Sequence, residues 1–222
     1  MTSVPRVWFK LPPFLLSAVI ATVGCVTLTA IRCFFIQRIS WYYVGNLLLA
    51  WIPYIAALCF RRFDKNPSNC RQWLWLCGVV WFFFFPNAPY IVTDLVHLKA
   101  KGPVPHWFSV ISTFAFAFCG LLLGFASLFV MQQIARQRKG VRAEWGLVGG
   151  TLLLASYGVY LGRFERWNSW DVLLRPGGIL LDIGESLTHL EPMLFTATFF
   201  IFLLTAYLLT ITAIHGVREH GR

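Results

Sequence analysis

Six apolar stretches decide what this chain can become. Near Leu11 to Ile31, Tyr42 to Phe60, Trp73 to Tyr90, Trp107 to Met131, Trp145 to Leu161 and Leu194 to Ile214 the sequence carries no charged residue. Each stretch approaches or exceeds the roughly 18 apolar residues that read as a bilayer-spanning helix. No water is available inside a bilayer to satisfy peptide groups, so such stretches are confined to helices that make their backbone bonds internally. With 58% hydrophobic and 13% charged residues, and a mean hydropathy of +0.66, too little polar surface remains to coat a soluble domain. The expectation is an all-α polytopic membrane protein of about six transmembrane helices. Only short connections separate the stretches, which predicts a single integral membrane domain over residues 1–222. The first stretch is longer than the apolar run of a cleaved signal and reads as an uncleaved anchor.

Basic residues predict orientation, because Lys and Arg near span ends are retained on the cytoplasmic side. With the N-terminus inside, the inner segments hold twelve Lys and Arg and the outer segments seven. Both termini are therefore expected in the cytoplasm, with the protein in the inner (plasma) membrane. The net charge of +10 is then a matter of topology and anionic-lipid contact rather than of nucleic-acid binding. Six cysteines show no CxxC and no Cys/His cluster, and read as small packing residues.

The predicted outer side differs in kind. It gathers six of the nine acids, Asp94, Glu165, Asp171, Asp182, Glu185 and Glu191, together with His97, His106 and His189. Within PNAPYIVTDLVHL, Pro86 and Pro89 lie about 20 to 24 Å along the third helix at 1.5 Å per residue. Each proline lacks an amide, so the carbonyls of Phe82 and Phe85 lose their helical partners and the helix must break. Asn87 can satisfy freed backbone groups from the side. Beyond the break, Tyr90, Asp94, His97 and Lys101 recur at intervals of four, three and four, which is one face of an α-helix.

The second polar cluster, YLGRFERWNSWDVL, supplies Tyr160, Arg163, Arg166, Asn168 and Asp171 at the same side. Gly158 and Gly162 form a small-xxx-small pair that admits a neighbouring helix closely. An arginine ending one buried helix and an aspartate ending another are expected to pair, because either alone near lipid is costly. After Arg175-Pro-Gly-Gly, a short amphipathic helix is predicted over Ile179 to Leu190, with Asp182, Glu185 and His189 on its polar side. It could lie in the outer interface as a lid.

PNAPYIVTDLVHL followed by YLGRFERWNSWDVL resembles the two signature stretches of an uncharacterised prokaryotic multi-pass membrane family, domain of unknown function 1361. The likeness runs from about Leu74 to Phe200. It implies a bacterial integral membrane protein of unassigned activity and brings no catalytic residues with it, so the candidate roles rest on residue chemistry. Asp94, His97 and Asp171 are the candidate acid/base or metal-binding groups, and Asn87, Tyr90, Tyr160, Arg163, Arg166 and Asn168 the candidate binding groups. Besides the lipid bilayer, the partner these suggest is a lipid-linked or anionic ligand. Cofactor, metal and protein partners stay open. No HExxH, GxSxG or nucleotide-binding glycine loop is present. Three classes remain: an enzyme or binding site for an envelope substrate, a transporter component, and an accessory protein whose arginine–carboxylate pair only clamps helix ends.

Overall fold

The computed structural model describes residues 11–36, 41–65, 71–98 and 104–219. Every regular element among these residues is helical. Five long helices, α1 (Leu11–Ile36), α2 (Trp41–Asp64), α5 (His106–Lys139), α6 (Val141–Arg163) and α9 (Leu190–Glu219), are joined by a composite third span. That span consists of α3 (Arg71–Phe84), the single turn α4 (Asn87–Tyr90) and a 3₁₀ helix over Ile91–His97. Two shorter pieces, α7 (Asp171–Leu174) and α8 (Pro176–Ser186), follow α6. Six segments are long and apolar enough to cross a membrane, and the protein has an all-α polytopic membrane fold. Several run beyond their predicted limits, α5 by two turns at its basic end, because helix continues past the apolar stretch into the interface.

The hub is α5. Its apolar span is 72% buried, against 17% for those of α1 and α9. A helix that is apolar all round is suited to the middle of a bundle, and α5 carries Gly120, Gly124 and Ala117 where its neighbours come close. Its charges are confined to the last turn, Arg136, Arg138 and Lys139, after which Gly140 at φ 82° turns the chain into α6. That dihedral lies in the left-handed region open to glycine. Two packed clusters flank α5. One joins Trp81, Phe85, Leu128, Leu152 and Leu203, and the other Leu47, Tyr54, Ala88, Ile91 and Phe116. Large apolar side chains face outward instead, including Leu16 at 62% and Leu209 at 65% exposure. In hydrocarbon this exposure has no hydrophobic cost.

The composite span breaks where its prolines predict, with a different accounting of its carbonyls. The Phe85 carbonyl does find a partner, the amide of Ala88 at 3.1 Å. It is the Phe84 carbonyl that is taken up by the Asn87 side chain, at 3.1 Å. Past the break the chain winds as a 3₁₀ helix of three residues per turn, so the α-helical spacing of Tyr90, Asp94, His97 and Lys101 does not hold. Lys101 and the side chain of His97 lie outside the described residues.

Two glycine pairs make room for this turn. A Cβ on Gly120 would stand 2.8 Å from the Ala88 carbonyl oxygen, and one on Gly124 would be 2.9 Å from the Ala88 Cβ. From the other side, a Cβ on Gly158 would meet Pro86 at 3.1 Å and one on Gly162 would meet Tyr90 at 3.2 Å. The PNAPY turn is therefore wedged between α5 and α6, each approaching through glycines four residues apart. A Cβ on Gly146 or Gly150 would meet no neighbouring element within 4 Å.

α8 begins at Pro176 and stops at Ser186, earlier at both ends than the predicted Ile179 to Leu190 helix, because proline suits a first helical turn. His189 consequently falls in the following turn and not on the polar face of Asp182 and Glu185.

Candidate functional site

Asp94 is the centre of the polar end of the bundle. Breaking the third span turns its carboxylate inward, where it is 2% exposed. Arg163, at the end of α6, places Nη2 2.5 Å from Oδ1. The Tyr42 hydroxyl donates to the same oxygen at 2.9 Å, and the Asn46 amide donates to Oδ2 at 3.2 Å. The guanidinium also donates to the Thr93 hydroxyl from Nε at 2.8 Å and Nη2 at 2.5 Å. Its Cζ lies 4.6 Å from the centre of the Tyr90 ring. Thr93 in turn donates to the Tyr90 carbonyl at 2.7 Å. Three spans are tied together: α2 through Tyr42 and Asn46, the broken span through Thr93 and Asp94, and α6 through Arg163. Each charge thus finds the partners that burial demands.

The other sequence candidates divide into two groups. Asn87, Tyr90 and Asn168 line a cavity of about 490 Å³ beside this network, between α3, α6 and α8. Asn87 donates to Ser169 at 2.8 Å, which ties the PNAP turn to the loop after α6. Tyr160 faces away, in an aromatic stack with Phe164 at 4.9 Å and with Phe195. Asp171 is not brought to Asp94. Its Oδ2 accepts from the backbone and side-chain amides of Asn168 at 2.8 and 3.1 Å, a local tie within the turn that precedes α7. Arg166 is exposed, with φ at 61°. Among the described residues no group of three or more His, Cys, Asp or Glu side chains is placed to hold a metal ion.

α8 covers one side of the cavity with Ile179, Leu180 and Ile183. It is pinned there by Trp167, whose ring lies against Gly178 and whose indole donates to Asp182 at 2.7 Å. A second tie is the 2.5 Å hydrogen bond between the Tyr157 and Ser186 hydroxyls. Sequence reasoning missed Tyr42, Asn46, Thr93, Tyr157 and Trp167. The first two carried a usable signal: Tyr42 and Asn46 are four residues apart, hence on one face of α2, and an amide inside an apolar span needs a partner.

Residues 45–206 match the family model described as protein of unknown function (DUF1361). The chain belongs to this family. The matched DUF1361 region takes in Asn46, the PNAP turn, Asp94, Arg163 and α8, and leaves α1 and Tyr42 outside. No curated protein and no solved structure matches the chain.

Proposed function

We propose that this DUF1361 protein binds an amphiphilic, lipid-like molecule in the cavity between α3, α6 and α8, and that Asp94 with Arg163 is the clamp behind that cavity. The observation that carries this reading is the cavity's sideways opening. Phe82, Phe83, Leu154 and Leu180 line it and are at the same time 42%, 37%, 52% and 67% exposed on the apolar flank of the bundle. A molecule with a hydrocarbon chain can enter there without leaving the bilayer. The lining is mostly apolar with a few amides and hydroxyls at the level of the helix break, as in small-molecule sites generally.

An acid/base or anion-receptor role is less well supported. A general base must reach the proton that it removes, and Asp94 is buried, already accepts from three side chains and does not line the cavity. Arg163 is likewise engaged by Asp94, Thr93 and Tyr90. The distribution of Lys and Arg supports placing this polar end on the outer side of the plasma membrane.

Native mass spectrometry of the protein released directly from membranes tests the binding reading. One lipid per chain is expected on the wild type and none on a Leu154→Trp/Leu180→Trp double variant that blocks the opening. An unchanged lipid complement on that variant, with its thermal stability intact, would defeat the proposal. Orientation has its own check: single cysteines at positions 138 and 170, in a cysteine-free background, are probed with an impermeant maleimide on intact cells. Labelling is expected at 170 alone, and labelling at 138 alone would invert the topology.

A further inference from the structure

We infer that the cavity selects a headgroup bearing uncharged hydroxyls and discriminates against phosphate and carboxylate headgroups, an inference that rests on the lipid-binding reading above. It comes from asking which hydrogen-bonding capacity each lining group has left once its protein partners are served.

Asn87 has none to donate. Its amide nitrogen faces the Phe84 carbonyl, which can only accept, and its second proton points to Ser169 Oγ, so Oδ1 is what remains. Asn46 turns its nitrogen to the Asp94 carboxylate, another pure acceptor, and keeps its own Oδ1 for the cavity. Tyr42 gives its proton to Asp94 and its oxygen faces the Asn46 amide, so it adds no free acceptor. Ser186 gives its proton to the Ile183 carbonyl at 3.1 Å, so in the Tyr157–Ser186 bond the tyrosine is the donor and again keeps an acceptor oxygen. The Trp167 indole proton is held by Asp182.

Pro86 and Pro53 lack the amides that the carbonyls of Phe82 and Leu49, two lining residues, would accept in a regular helix. Against these stand a few donors: the hydroxyls of Ser169 and Thr151 and the second amide proton of Asn168. Among the described lining residues none is Lys, Arg, His, Asp or Glu.

An uncharged wall of side-chain acceptors with scattered donors matches hydroxyls, each of which gives one hydrogen bond and accepts two. A phosphate entering there would lose its hydration, meet oxygen lone pairs and find no cation to compensate. An ammonium would satisfy the acceptors, but a cation among apolar side chains within the bilayer is costly without a partner. The nearby carboxylate of Asp94 is already matched by Arg163.

The test uses two lipids with identical acyl chains, diacylglycerol and phosphatidic acid, which differ by a hydroxyl against a phosphate. Full-length protein in a hydroxyl-free amine-oxide detergent is offered equal amounts of both, and bound adducts are counted by native mass spectrometry. Diacylglycerol is expected to be retained about tenfold over phosphatidic acid, a difference of about 1.4 kcal/mol. A Leu180→Lys variant, which sets a cation at the opening, is expected to shift the ratio towards phosphatidic acid. Equal retention of both by the wild type, blocked by Leu154→Trp/Leu180→Trp, would overturn the headgroup inference and leave the cavity reading standing. Preference for phosphatidic acid would reverse the inference, and retention of neither would overturn both readings.

Discussion

Among the described residues two carboxylates are buried, at opposite ends of the bundle, and they are held differently. Asp94 is gripped by side chains from α2 and α6, distant in sequence, and sits behind a cavity. Glu144 lies in the first turn of α6, 5% exposed, and accepts from Gln132 of α5 at 2.7 Å, with Arg136 at 3.3 Å as an ion pair. Tyr207 of α9 donates to the Gln132 side chain. This second network spans the tight α5–α6 turn and does not touch the cavity. Burial of an acid is therefore no mark of a site in this fold. Tyr42 and Asn46, which hold Asp94, line the cavity, and none of Gln132, Arg136, Glu144 and Tyr207 does.

The largest expected effect separates the two ends. Asp94→Ala leaves Arg163 buried without its carboxylate and should cost about 3 to 5 kcal/mol, and removing Arg163 as well should recover much of that loss. Glu144→Gln should cost only about 1 kcal/mol, because Arg136 is 44% exposed and can rehydrate. Thermal unfolding of the purified variants measures both. Equal losses would erase the distinction between a clamp built across the fold and a local turn lock.

Next in size is the wedge of the PNAPY turn. Gly120→Ala drives a methyl group into the Ala88 carbonyl and is expected to cost about 1 to 3 kcal/mol. Gly146→Ala, where a methyl meets nothing within 4 Å, should instead stabilise α6 by about 0.5 to 1 kcal/mol. If the two substitutions behave alike in a melting experiment, the close approach of α5 to the turn is wrong.

Arg166 gives the smallest effect. Its φ of 61° suits glycine better than arginine, so Arg166→Gly should gain about 1 kcal/mol and leave lipid retention unchanged. Loss of the bound lipid in this variant would restore Arg166 as a binding residue.

How far the sequence carried depends on the range of the forces involved. Span positions are set by the transfer of apolar residues into hydrocarbon, a property of each stretch alone, and six spans emerged with errors only at their ends. Pro86 and Pro89 declared the break because a missing amide is a local fact. The pairing of Asp94 with Arg163 was legible too, since two opposite charges at neighbouring helix ends have few other partners. Whether the winding beyond the break would be α or 3₁₀ was not, because that depends on how the turn fits between the glycines of α5 and α6.

The sequence by itself therefore determined the multi-pass membrane fold, the number of spans, the helix break and the identity of the charged pair, all of which follow from the chemistry of single segments. Only the tertiary structure decided that Tyr160 and Asp171 face away from Asp94, that Tyr42 and Asn46 of α2 complete its shell, and that α8 closes a cavity against α3 and α6. The physical reason is that a hydrogen bond is a relation between two groups. Which acceptors of Asn46, Asn87 and Tyr157 stay free is known only once every donor has found its partner across the fold.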